Sequence, residues 1–372
     1  MFYARIHRIL QPGNRYKSPI FHQTTIIEDT FLVRSSNISD TYPIAVLGAG
    51  AWGTALAILL SRNGKSTTLW SWEAEHARAL REDRHNKRFL PNYPFPPLLS
   101  ITSSLADAVS SARDILIAVP SCAFREVLES AALMFGASSR IVWATKGFEP
   151  GTGRLLHQVV ADIVGLDTPV AILSGPTFAA EVAAGLPTAV TVASTDDSFA
   201  RDLSISLHSR RFRVYTSRDI IGVQIGGGVK NILAIAAGAS DGLGFGANAR
   251  AGLITRGLAE LMRFGVALGG KRETFMGFAG LGDLILTCTD DKSRNRRLGL
   301  ALAEGISPDD AKYRIGRVIE GVDSTRVVVS VARHHGIEMP IAEQVYKVLF
   351  EQTSPLDAVN ALLARSARAE SL

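Results

Sequence analysis

From residue 43 to residue 217, short apolar runs alternate with stretches of helical period, the pattern of a doubly wound α/β domain. The runs Ile44 to Leu47, Ser66 to Trp70, Asp114 to Val119, Arg140 to Ala144, Val170 to Leu173, Thr188 to Ala193 and Phe212 to Thr216 read as strands. Thr54 to Ser61, Ser103 to Ser111 and Ala123 to Met134 read as helices, the first stopping at Gly64. Phe89 to Pro97 carries too many prolines for a helix and reads as a loop. Beyond Ser217 the strand signals stop. Ile220 to Gly238 is nearly all apolar or small, with Lys230 and Asn231 at its centre. Asp241 to Asn248 reads as a Gly-rich loop, and Ala251 to Leu268 as a helix carrying Arg256 and Glu260 four residues apart. Gly280 to Asp283 reads as a turn into Leu284 to Thr289, and the remainder to Leu372 as amphipathic helices.

A chain of 372 residues favours two domains, here 43–217 and 218–372. Apolar content of 47% and charged content of 20% fit a globular protein with an ample core. The net charge of +5 suits anionic small molecules, and no Lys/Arg run points to nucleic acid. Cys122 and Cys288 lie far apart, form no metal spacing and fit a reducing, cytoplasmic setting. No apolar run reads as a membrane span; Lys230 and Asn231 interrupt the best candidate. Residues 1–42 have no clear period, and Arg5, Arg8, Arg15 and Lys17 precede the first acid, Glu28. That composition fits a transit peptide; the reading taken is a disordered leader or translation from too early a start.

One motif interrupts the first strand–helix step. Gly48, Gly50 and Gly53 form a G-x-G-x-x-G between the Ile44 run and the Thr54 helix, inside a βαβ unit of the right length. Gly48 makes the tight turn, Gly50 lets backbone approach a pyrophosphate, and Gly53 packs helix against strand. The helix N-terminus then offers free N–H groups to phosphate. The alternative is a Gly-rich turn that binds nothing. The fold class is therefore α/β, an N-terminal doubly wound Rossmann-type domain followed by an all-helical C-terminal domain.

In such a sheet, ligands sit outside the carboxyl ends of the strands. Pro120, Ser121, Lys146, Gly175 and Thr177 follow strand ends directly. Lys146 is either a cation for a substrate or cofactor oxygen or a solvated loop lysine. Trp72, Glu73, Arg78 and Arg81 follow the second strand. An acid there suits the ribose 2′-hydroxyl of NAD and an Arg the 2′-phosphate of NADP, so the signal is mixed. Trp72 either stacks on adenine or caps the sheet. Lys230, in the middle of a buried helix, needs a partner or loses its proton. It is a catalytic lysine lining a cleft, a structural ion pair, or a side chain snorkelling to the surface. The Gly-Gly-Gly run before it permits close approach of another backbone. Ser293, Arg294, Asn295, Arg296 and Arg297 suit a phosphate at a helix start, or form a solvated charged turn.

Taken together, these motifs resemble the bacterial NAD(P)-dependent glycerol-3-phosphate dehydrogenase family. The resemblance runs from about Pro43 to about Arg365 and is carried by GAGAWGTALA at 48–57, VPS at 119–121, WATKG at 143–147, SGPTFAAE at 174–181, GVKN at 228–231, SDGLGFGANAR at 240–250, GLGDLILTCT at 280–289, SRNRR at 293–297 and VIEG at 318–321. It implies NAD or NADP, NADP slightly favoured, held by Gly48, Gly50, Ala51, Trp52, Gly53, Trp72, Lys146, Ala179, Arg294, Val318 and Glu320. It implies substrate contacts from Lys146, Gly175, Thr177, Lys230, Asp283, Ser293, Arg294 and Asn295. Lys230 is the implied acid/base, with Lys146 and Asp283 as catalytic partners. Trp72 stands where relatives often carry His or Arg, and the leader is longer than the family needs.

The implied reaction reduces dihydroxyacetone phosphate to sn-glycerol 3-phosphate, reversibly, by hydride from nicotinamide C4, and supplies the glycerophospholipid backbone. The developing alkoxide needs a proton and local positive charge. Lys230 supplies both, Lys146 adds charge and lowers the Lys230 pKa, and Asp283 orients or balances Lys230. Arg294 and Asn295 hold the phosphate. No metal is required, and Cys288 is read as core. The expected partner is the small-molecule substrate, with no nucleic acid and no membrane span, in a homodimer. Two rival readings are a related hydroxyacid or sugar-nucleotide dehydrogenase and a non-enzymatic dinucleotide sensor; the retained lysines and the 293–295 cluster argue against both.

Overall fold

The computed structural model describes residues 42–316 and 318–366. The leader, apart from Tyr42, lies outside the described residues. Eight strands form one sheet: β1 (Ile44–Leu47), β2 (Thr67–Trp70), β3 (Leu99–Thr102), β4 (Asp114–Ile117), β5 (Arg140–Trp143), β6 (Val170–Ser174), β7 (Thr188–Ser194) and β8 (Phe212–Ser217). Their spatial order is β8-β7-β6-β5-β4-β1-β2-β3. The chain therefore starts in the middle of the sheet and reverses direction between β1 and β4, the switch point at which doubly wound sheets bind ligands. β1, β4 and β5 are buried along their whole length, as strands covered by helices on both faces must be. β7 pairs antiparallel with β6, and β8 runs with β7. The link from Ser174 to Thr188 holds only the six-residue helix Ala179–Ala184 and returns the chain at the same end of the sheet.

The expected strands and helices appear with boundaries shifted by a few residues, and several elements are new. β3 and the helices Ala74–Asp83, Leu156–Val164 and Asp197–Leu207 carry no clear sequence signal. The proline-rich stretch expected as a loop supplies the strand Leu90–Pro94, which pairs antiparallel with His85–Asn86. Prolines are tolerated there because this two-stranded ribbon has free edges. The first crossover helix, α1 (Ala51–Arg62), begins directly after Gly50, three residues earlier than expected.

The second half is helical throughout. Its axis is α2 (Ile220–Gly242), joined by only three residues to α3 (Gly246–Ala267), so the expected Gly-rich loop is mostly helix. A five-residue π-helical turn, Phe278–Gly282, leads into α4 (Asp283–Thr289). α5 (Arg294–Ala303) and α6 (Glu320–His334) follow. Glu260 of α3 does not serve Arg256. Buried, it accepts from the N–H groups of Ile341 (2.6 Å) and Ala342 (3.3 Å), at the start of helix Pro340–Phe350. Burial pushes its carboxyl up to about 7, against the pull of those two bonds.

Among the described residues, α2 is long and apolar enough to cross a membrane by composition, yet 89% of that stretch is buried inside the protein. It packs into two cores. Ile220 and Val223 join the apolar cluster on one face of the sheet, whereas Ile225 to Ala237 join the cluster of the helical half. Its glycines let it do so. A Cβ at Gly226 would lie 2.3 Å from the Ala279 oxygen, at Gly227 2.9 Å from Ser174 Oγ, and at Gly228 3.3 Å from Gly147 Cα. The expected close backbone approach is therefore real, and it sets the helix against the ends of β5 and β6. Further along, α2 crosses α5 through Gly238 and Gly299, where an added Cβ would stand 2.0 Å from the carbonyl oxygens of Arg296 and Ile235.

Two outcomes follow from this packing. Gly299→Ala overpacks the α2–α5 crossing and lowers stability by about 1–3 kcal/mol, read from the denaturant midpoint. Glu260 carries a proton in the folded state at pH values where the unfolded chain has lost it. The stability from this group is full below its unfolded pKa and lost as pH rises through about 7. The melting temperature of Glu260→Gln therefore depends less on pH between 5 and 8 than that of the wild type.

Candidate functional site

The glycine turn lies at the switch point, where Gly48 makes the tight turn and Gly53 packs helix against strand as expected. Gly48 has φ +120°, and a Cβ there would meet the Ala118 oxygen at 2.8 Å, just past β4. A Cβ on Gly53 would stand 1.9 Å from the Gly48 oxygen. Gly50 differs: a Cβ there meets nothing within 4 Å, so this glycine leaves open space in front of the turn. α1 has no side-chain N-cap, which leaves its first N–H groups facing that space. The buried Trp52 Nε1 also finds no partner among the described residues. Open space before an uncapped helix start fits the pyrophosphate of a dinucleotide.

From the turn, contacts lead to the lysines. Thr145 Oγ1 donates to Val119 O (2.8 Å) beyond β4, and Lys146 is the next residue, beyond β5. Lys146 Nζ donates to Asp283 Oδ2 (2.5 Å) and to Gly175 O (3.3 Å). Thr177 Oγ1 donates to the same Gly175 oxygen at 3.1 Å. Lys230 Nζ, from the middle of α2, donates to Asp283 Oδ1 and to Thr287 Oγ1 (2.8 Å). Asp283 is fully buried, and each of its oxygens takes one ammonium. Two lysines against one carboxylate leave a net single positive charge.

Burial lowers Lys230 to about 8; the Asp283 charge opposes this, and the Lys146 charge adds to it. The second cation, expected from sequence as the cause, is thus the smaller one. Thr287 was missed by sequence, although its four-residue spacing from Asp283 puts both on one face of α4. Its hydroxyl donates to Asp283 O at 2.6 Å, which leaves its oxygen to receive Lys230. Cys288 is buried and its thiol is pushed up to about 12 by that burial, as suits a core residue.

The third group surrounds the start of α5. Ser293 is its N-cap and accepts from Arg296 N at 3.2 Å. Buried Asn295 donates to Asn231 Oδ1 (2.9 Å) and accepts from Gly321 N (2.9 Å). It thereby ties α5 to α2, one residue beyond Lys230, and to the first turn of α6. Arg294 Nη1 donates to Val318 O at 2.7 Å, and Asn231 Nδ2 approaches Glu320 Oε2 at 3.4 Å. Neither Asn231 nor Asp241 is among the site residues expected from sequence. Asp241 accepts from Arg296 and from Arg250 (2.7 Å), and Arg296 also reaches Asp291 (2.8 Å), so the 290–293 turn is held from behind.

At the rim, Lys292 Nζ bridges to Glu181 (2.8 Å), two residues after Ala179 at the start of its helix. Trp72 is 77% exposed beyond β2, so it caps nothing. The structure joins Lys146, Gly175, Thr177, Lys230 and Asp283 in one network; Asn295 and Glu320 meet at Asn231, the residue after Lys230, and Arg294 pairs with Val318. The glycine turn lies at the start of α1 beside the end of β4, and Trp72 lies beyond β2.

The chain is similar to known proteins over most of its length. A sequence model described as the NAD-dependent glycerol-3-phosphate dehydrogenase N-terminus matches residues 43–200, and one described as its C-terminus matches residues 219–360. The chain is 55% identical over 338 residues to glycerol-3-phosphate dehydrogenase [NAD(P)+] of Nitrosococcus oceani, covering 91% of this chain and 98% of that one. With the Photobacterium profundum protein of the same name it shares 53% over 337 residues, covering 90% and 100%. The crystal structure of glycerol-3-phosphate dehydrogenase from Coxiella burnetii superposes with a TM-score of 0.85 at 52% identity, covering 87% of this chain and 99% of that one. The chain belongs to the NAD-dependent glycerol-3-phosphate dehydrogenase family.

Proposed function

We propose a division of labour within this site for the reaction that family membership assigns, the NAD(P)-dependent, reversible reduction of dihydroxyacetone phosphate to sn-glycerol 3-phosphate. The bound dinucleotide supplies a hydride from C4 of its nicotinamide. The protein must then protonate the carbonyl oxygen and hold the phosphate while excluding water. Lys230 is the acid: its ammonium gives a proton to the substrate oxygen in reduction and takes it back in oxidation. The observation that carries this role is the pairing of Lys230 and Lys146 on one buried carboxylate. Asp283 keeps two ammonium groups together in a buried place, and their surplus positive charge favours an oxygen that becomes negative.

Phosphate is held at the start of α5, by the guanidinium of Arg294 and the second Nδ2 hydrogen of Asn295, with Ser293, Gly175 and Thr177 completing the contacts. Gly48, Gly50, Ala51, Trp52 and Gly53 would hold the dinucleotide, with Trp72, Lys146, Ala179, Arg294, Val318 and Glu320 also near it. The open space at Gly50 and the uncapped start of α1 support that placement. Residues 43–217 then act as the dinucleotide-binding domain and 218–372 as the substrate domain. We also infer a cytoplasmic homodimer that supplies glycerophospholipid backbone and favours NADP slightly.

Spectrophotometric oxidation of NADPH and NADH with dihydroxyacetone phosphate tests these roles. Lys230→Ala loses at least about a hundredfold in kcat, the lower range for a general acid. In the wild type, kcat for reduction falls as pH rises through about 8, because the acid must carry its proton. Retention of full rate by Lys230→Ala would remove the lysine from the mechanism. Gly50→Ala leaves the melting temperature unchanged, since its Cβ meets open space, while titration shows cofactor dissociation constants raised at least about tenfold.

A further inference from the structure

The adenosine end of the crevice holds an ion pair that the sequence does not announce. Glu73 follows β2 and precedes helix Ala74–Asp83, the place where an acidic side chain accepts from a ribose 2′-hydroxyl. Its carboxylate does not cap that helix. Instead Oε2 receives Arg88 Nη1 at 2.7 Å. Arg88 comes from the tip of the ribbon between His85–Asn86 and Leu90–Pro94, fifteen residues away in sequence.

The ribbon is fixed to the glycine turn. Fully buried Asn86 donates to Ala49 O (2.9 Å) and to Thr54 Oγ1 (2.8 Å), and its Oδ1 accepts from Phe89 N at 3.1 Å. Arg88 therefore sits on a short, anchored tip between the end of β2 and the pyrophosphate turn, with its guanidinium 4.8 Å from the Phe89 ring centroid. Arg78, the nearer arginine in sequence, is engaged one helical turn on, with Glu82 at 3.7 Å.

We infer that the Glu73–Arg88 pair determines cofactor choice, letting the site accept both NADH and NADPH. The inference rests on the dinucleotide-binding reading of the crevice. A carboxylate alone at this place accepts from a 2′-hydroxyl and repels a 2′-phosphate; a guanidinium fork binds the phosphate. Here one pair carries both chemistries. Its side chains are 37% and 56% exposed, so a doubly charged phosphate can reach the guanidinium from solvent. Trp72, exposed beside Glu73, offers a face for either adenine and does not discriminate between them.

Dissociation constants of NADPH and NADH, measured by titration calorimetry on the full chain, test the inference without turnover. Arg88→Gln weakens NADPH by roughly tenfold or more, the worth of one charge-assisted bond, and leaves NADH within about threefold. Arg88→Lys recovers part of the NADPH affinity, which a merely structural role for the guanidinium would not produce. Glu73→Gln reverses the bias, weakening NADH and leaving NADPH tight. Parallel changes in both affinities, or none, would overturn the inference. Parallel changes in a wild-type background that reduces dihydroxyacetone phosphate defeat this inference alone. A shifted ratio in a protein that binds both cofactors but does not reduce that substrate sustains it and defeats the substrate assignment. Failure of the wild type to bind either cofactor defeats both.

Discussion

The site depends on one buried carboxylate. Asp283 has no contact with water, and an isolated charge in such a place is untenable. It is paired with two ammonium groups that come from opposite halves of the chain, Lys146 from beyond β5 and Lys230 from the middle of α2. Each partner answers for the others. Without Asp283 the two lysines would repel across a gap set by rigid elements; without either lysine the carboxylate would be left partly unpaired. The same arrangement that satisfies the core therefore presents a surplus of positive charge to the crevice.

Around that carboxylate, close backbone approach does the positioning. Long side chains between α2 and the strand ends would hold Lys230 too far from Lys146 to share a partner. The glycines at 226, 227 and 228 remove that spacer on the sheet side. Gly238 and Gly299 remove it on the side of α5, so that Ser293, Arg294 and Asn295 start their helix beside the residue that follows Lys230. The candidate site draws on residues from many elements, yet its tolerances are set by places where a side chain is missing.

Much of this was legible in the sequence because it is local. The strand–glycine–helix step at 44–61 is a contiguous pattern, and Gly48 and Gly53 turn and pack as the motif requires. The helical second half showed in the loss of strand signals after Ser217, and Lys230 stood out as a lone cation in an apolar run. Less legible were features whose cause lies elsewhere in the chain. β3 and the short ribbon owe their form to neighbours in the sheet and to Asn86. Glu260 looked like half of a helical pair with Arg256 but serves a helix eighty residues on. The depression of Lys230 comes chiefly from burial, a quantity that residue spacing does not carry. Thr287 and Asn231 were within reach of spacing arguments, one four residues from Asp283 and the other adjacent to Lys230.

The course of α2 has one more consequence. Because its first turns belong to the core of the sheet and its later turns to the core of the helical half, neither half owns a complete interior. A cut near residue 218 would strip the sheet of Ile220 and Val223, and it would leave the helical half with an apolar helix end facing water. The two family halves are thus separable as sequence and inseparable as folding units. Lys230 rides on the helix that the two interiors share.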